Sequence, residues 1–81
     1  MDAVSQSNRV DIHVGSRIAL ARIEAELSLD ALADKLEINA DELARIEKGA
    51  VRPSAGLLFD IGELLGKPLD YFFADLRSRE N

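Results

Sequence analysis

The chain has 81 residues, no cysteine, and ten basic against fifteen acidic residues, for a net charge of −5. That length holds one small domain, the missing cysteines exclude disulfides and thiolate metal sites, and the acid excess excludes a broadly electropositive surface of the kind behind strong nonspecific nucleic-acid binding. No apolar run approaches the ~20 residues of a membrane span, and the opening MDAVSQSNRVDIHV lacks a signal-peptide core, so a soluble, cytoplasmic protein is expected.

Residues 1–9 are polar and read as disordered. Val10, Ile12 and Val14 alternate with Asp11 and His13, the pattern of a short extended segment. The expected division is a flexible N-terminal arm over 1–13, a helical domain over 14–76 and a tail over 77–81. A first helix is predicted from about Gly15 to Glu26, with Val14, Ile18, Ala21 and Ala25 on one apolar face. Ser28 is suited to cap a second helix containing Leu29, Leu32, Ala33 and Leu36. Glu37-Ile38-Asn39 makes a turn, and Asn39 caps a third helix over 40–48 with Leu43 and Ile46 facing inward. Gly49 ends it, as glycine just past a helix tends to do. Ala50 to Pro53 form a loop, and Ser54 caps a fourth helix whose buried candidates are Leu57, Leu58, Ile61, Leu64 and Leu65. Gly56 and Gly62 suggest close helix approach there, and Gly66 stops the helix. Pro68 opens a fifth, from Leu69 to about Leu76. The class is all-α, five helices in one bundle-like domain.

The informative stretch is Ser28 to Gly49, SLDALADKLEINADELARIEKG. Two short amphipathic helices so closely joined must cross steeply and share a core. That is the helix-turn-helix, whose second helix commonly enters the DNA major groove. Further elements stand in register with it: VGSRI at the start of the first helix, Arg22, Leu27-Ser28, and Leu32-Ala33-Asp34-Lys35-Leu36. They continue with Ile38, Leu43, Arg45-Ile46-Glu47, Gly49, Arg52-Pro53-Ser54 and Pro68-Leu69-Asp70-Tyr71-Phe72-Phe73. In these residues the chain resembles the Cro-like, phage-repressor-type helix-turn-helix family over about Val14 to Phe73. The resemblance implies a five-helix, lambda-repressor-like DNA-binding domain.

It also implies roles for particular residues. Ser28 would face a phosphate at the start of the second helix. Ala40, Asp41, Ala44 and Arg45 would lie on the groove side of the third, behind its cap Asn39. Arg45 is the expected base reader, because a guanidinium can donate two hydrogen bonds to guanine. Lys48 and Arg52 would touch phosphates, and Arg17 would extend the same positive strip. Arg22 and Glu47 stand where family members often form an ion pair between the first and third helices. Three positions depart from the family. Leu29 replaces a common glutamine and offers only an apolar contact to a thymine methyl. Glu37 and Glu26 replace common glycines, and a non-glycine residue kept at positive φ there costs of order 1 kcal/mol or more.

Several residues carry two readings. Asp41 and Glu42 fit the first turn of the third helix, where Glu42 can close a capping box with Asn39; a carboxylate there also suits cytosine N4 or repels phosphates. Leu20 and Ile23 lie opposite the core face of the first helix, with three readings: cover by the N-terminal arm, a subunit or partner contact, or ordinary exposure. Tyr71, Phe72, Phe73 and Leu76 divide between core packing and a twofold dimer. Asp30 and Asp34 read as a solvated face, though some activating relatives use such a patch to touch RNA polymerase. His13 has no assigned role. No catalytic triad and no metal-ligand spacing occurs, so neither enzymatic activity nor a cofactor is expected. The expected function is a homodimeric, sequence-specific DNA-binding transcriptional regulator or repressor, nucleoid-associated when bound to double-stranded DNA on an operator with two half-sites. The other class is an antitoxin-like or regulatory protein-interaction module on the same scaffold.

Overall fold

The computed structural model describes residues 2–76, with side chains from Arg9 onward. Five helices follow in order: α1 Asp2–Glu24, α2 Leu29–Leu36, α3 Ala40–Lys48, α4 Ala55–Leu65 and α5 Leu69–Phe73. No strand occurs among the described residues.

Local chemistry sets most of the boundaries. Ser28, Asn39 and Ser54 are N-caps, and their side-chain oxygens accept the backbone N–H of Ala31, Glu42 and Leu57 at 3.0, 2.9 and 3.1 Å. Gly49 and Gly66 close α3 and α4 in the left-handed region. Glu26 and Glu37 occupy that same region at φ 61° each, so the expected family geometry is kept without glycine.

The start of α1 corrects the sequence reading. Val10 to Val14 are helical and not extended, and the first helix begins well before Gly15. The reason is a second periodicity in the same residues. Val10, Val14, Ile18 and Ala21 recur at helical spacing; the last three are buried and Val10 packs against the core they form. Burial of that stripe outweighs the weak alternation. The other end also differs: α1 stops at Glu24 and Ala25 is exposed. Helix α5 ends at Phe73, so Leu76 lies in the turn beyond it. The 77–81 tail falls outside the described residues.

Phe72, Ile18, Leu32, Leu43, Ile46 and Ile61 are the largest fully buried side chains, drawn from all five helices. Phe72 is therefore core and not interface. Leu64 is exposed, against expectation. Of the two glycines suggested for close approach, Gly62 sits where a Cβ would meet the Lys67 carbonyl at 2.6 Å, whereas Gly56 has open space around it.

Helix α1 is the spoke of the fold, packed against α3, α4 and α5. At Gly15 a Cβ would come within 2.6 Å of the Glu47 carbonyl oxygen and closer still to that of Ile46, so α1 and α3 touch backbone to backbone. On the far side of α1, His13 Nε2 donates to the Ala74 carbonyl at 2.7 Å and fastens the end of α5.

Candidate nucleic-acid interface

Helix α3 turns Leu43 and Ile46 into the core and presents the other side of its cylinder outward. Asp41, Arg45 and Lys48 are exposed there, with Ala40 and Ala44 half-buried beside them. Asp41 and Arg45 are one turn apart, and Lys48 follows three residues on, so all three share a face. None of the three has a hydrogen bond or ion pair to another described residue. The small alanines keep this face low enough for Arg45 to project from it. Asn39 closes its half of the capping box by accepting the Glu42 N–H. Asp41 and Glu42 lie in the first turn, where the helix dipole favours a carboxylate by about 0.3–1 kcal/mol each.

At the start of α2, exposed Ser28 accepts the Ala31 N–H. Leu29 is half-buried and packs against the core, which draws it back from the surface role expected of it. Asp30, in the same first turn, is exposed and opposes an anion at that spot.

Besides its core contacts, α3 is held to α1 by one ion pair. Arg22 Nε donates to Glu47 Oε2 at 2.7 Å and Nη2 to Oε1 at 3.1 Å, while Nη1 donates to the Leu27 carbonyl at 2.9 Å. The side chains are only 16% and 10% exposed. One guanidinium thus ties the end of α1, the loop before α2 and the last turn of α3. The Glu47 hydrogen bond raises the Arg22 pKa above its ordinary value; burial opposes the rise and the charge of Glu47 adds to it. The expected pair is present.

Of two other arginines, Arg17 departs from expectation and Arg52 has a partner that the sequence did not suggest. Arg17 lies about 200° around α1 from Gly15, and so faces away from α3. It pairs with Asp75 at 3.2 Å, and its Cζ lies 4.8 Å from the centre of the Tyr71 ring. Lys67 Nζ is 4.7 Å from the centre of the same ring, so Tyr71 has two cation–π partners. Arg17 therefore belongs to the α1–α5 contact and not to the α3 strip. Arg52, in the loop after α3, donates through Nε to Asp11 Oδ1 at 2.9 Å. Asp11 was not singled out by the sequence; the partners are 41 positions apart and no local pattern joins them.

The apolar candidates separate too. Leu20, Ile23 and Phe73 are exposed, Tyr71 and Leu76 half-buried, and Phe72 fully buried. Because residues 10–14 continue α1 as helix, they do not fold back over Leu20 and Ile23, and the expected cover by an arm is overturned.

A family profile described as Helix-turn-helix matches residues 18–72, more than half of the chain. An uncharacterized transcriptional regulator in the ATPase CF(0) region of Rhodospirillum rubrum is 38% identical over 69 residues, 85% of this chain and 64% of that protein. An uncharacterized HTH-type transcriptional regulator of Sinorhizobium medicae is 40% identical over 68 residues, 84% of this chain and 49% of that protein. One of Rickettsia prowazekii is 34% identical over 68 residues, 84% and 52% of the two chains. The chain thus spans about half to two thirds of the length of these relatives. With the capped α2–turn–α3 unit inside the matched region, the chain belongs to the helix-turn-helix family of transcriptional regulators.

Proposed function

We propose that the chain binds double-stranded DNA sequence-specifically, with α3 in the major groove, as a homodimer on an operator of two half-sites. Arg45 reads a guanine, Asp41 and the Ala40/Ala44 surface border the same base step, and Ser28, Lys48 and Arg52 fix register on phosphates. The observation that carries this reading is the state of Arg45. Arg17, Arg22 and Arg52 are each held by a carboxylate, whereas Arg45 projects without a partner among the described residues from the outer face of α3. An exposed, uncommitted guanidinium beside small residues is poised for a base edge.

The charge balance sets the character of the binding. With a net charge of −5 and Asp41 on the reading face, phosphate attraction is small and affinity depends on matched bases. The exposed pair Leu69 and Phe73, one turn apart on α5, supplies apolar surface for a twofold contact that spaces two α3 helices about 34 Å apart.

Selection of bound sequences from a random duplex pool at low salt tests the reading. The expected product is a palindrome with half-sites one helical turn apart. Arg45→Ala then relaxes preference at one base pair by about 1–3 kcal/mol while leaving the others intact. No enrichment from folded protein, or an unchanged preference in Arg45→Ala, refutes the assignment.

A further inference from the structure

The first turn of α3 carries two carboxylates in unlike places. Glu42 is half-buried, and its backbone N–H is taken by the Asn39 cap. Asp41 is exposed and has no hydrogen bond or ion pair to another described residue. It stands one turn before Arg45, the spacing at which an acid and a base on a helix ordinarily pair, yet the two are not joined. Ala40 and Ala44 lie beside them, so no large side chain there holds the helix backbone away from a groove floor. The short side chain of Asp41 reaches a base edge only on such close approach.

We infer that Asp41 is a specificity-determining residue that accepts a hydrogen bond from the N4 amino group of a cytosine. This role rests on α3 being the helix in the major groove. A carboxylate only accepts. Guanine and thymine turn acceptors toward the major groove, and adenine sets its N6 donor beside the N7 acceptor. Cytosine alone presents a donor with no acceptor on the same base edge. Arg45 follows about 6 Å further along the helix axis, so the half-site carries this cytosine within about two base steps of the Arg45 guanine. Where no such donor meets it, the carboxylate is left facing phosphates of its own sign, and unmatched DNA is rejected.

A change of letter separates this role from simple charge. Sequences are selected from a random duplex pool by the parent, Asp41→Asn, Asp41→Ala and Arg45→Ala, each checked for folding by thermal melting. The enriched duplex is then titrated by fluorescence anisotropy with each of the four base pairs at the position in question. Arg45→Ala marks the guanine. The parent should prefer cytosine beside it by about tenfold over the other bases. An amide both donates and accepts and suits adenine N6 and N7. Asp41→Asn should therefore move the preference from cytosine to adenine at that one position and leave the rest of the site unchanged. Asp41→Ala should bind all four duplexes within about threefold of one another. A carboxylate that only repelled phosphates would give another pattern: both variants would bind every duplex more tightly and keep the parent's letters. That pattern, or a parent site without cytosine near the Arg45 guanine, overturns the inference while α3 remains the reading helix. No enrichment by the folded parent removes the reading helix and the role of Asp41 with it.

Discussion

Glu37 should be more stable as glycine. The residue sits at φ 61°, ψ 38° at the end of α2, and its N–H and that of Ile38 close the helix onto the Asp34 and Ala33 carbonyls, both at 3.1 Å. This left-handed geometry costs an L-residue about 1–2 kcal/mol. Glycine escapes the strain but has more freedom to lose on folding, about 0.5–1 kcal/mol. The side chain is exposed, so no packing is lost. Its charge lies at the unfavourable C-terminal end of α2 and just ahead of the favourable N-terminus of α3, and the two dipole effects oppose each other. The balance is a gain of about 0.5–1 kcal/mol for Glu37→Gly, or roughly 2–8 °C in Tm for a domain of this size. Thermal and urea unfolding followed by circular dichroism measures it. Glu37→Ala is the control, since it removes the charge and keeps the strain, and should leave stability near that of the parent. Glu37→Gly no more stable than the parent, or Glu37→Ala gaining as much as Glu37→Gly, would refute the strain argument.

Glu47→Gln should cost about 2–3 kcal/mol in urea unfolding, because it leaves the enclosed Arg22 charge without its counter-ion. The raised Arg22 pKa places its share of stability wholly below the ordinary arginine value, to be lost only as pH climbs through the raised one; the difference between parent and variant should therefore stay flat from neutral to moderately alkaline pH. Gly15→Ala improves helix propensity by about 1 kcal/mol, yet its Cβ collides with the α3 carbonyls, so a net loss of stability and a shifted α3 are expected. Amide chemical shifts along α3 would detect the displacement; a stabilised Gly15→Ala protein would mean that the two helices have room between them.

The helical framework was legible because its signals are local. Ser28, Asn39 and Ser54 announce helix starts, Gly49 and Gly66 announce stops, and the leucine and isoleucine spacing identifies the buried sides. The Arg22–Glu47 pair was legible only through family likeness, since nothing nearby in the chain links residues 25 positions apart. Three features were hidden for identifiable reasons. The onset of α1 was masked because Val10 and Val14 satisfy two periods at once, while Ile12 fits only the alternation and is exposed. The direction of Arg17 depends on which neighbour occupies each side of α1, a tertiary fact. The Asp11–Arg52 contact joins a helix to a loop at long range, and Asp11 stands in none of the motifs that carry the resemblance. On α3, sequence order alone placed Asp41 and Arg45 on one face; the absence of competing partners among the described residues needed coordinates.

The fastening of α5 onto α1 also constrains the order of assembly. Joining His13 to Ala74 directly would close a loop of 61 positions, at an entropic cost of about 3–4 kcal/mol. The α2–turn–α3 unit closes over a few residues and requires no such step. Once α1 has docked along α3, the span left open to α5 is much shorter. The route of least cost is the hairpin of α2 and α3, then α1, then α5. The last piece on is the first piece off. Helix α5 has five residues and one buried anchor, Phe72, so its amides should exchange with deuterium through partial openings that leave α3 protected. Any partner surface carried on α5 is then dissolved and rebuilt many times within the lifetime of the folded core.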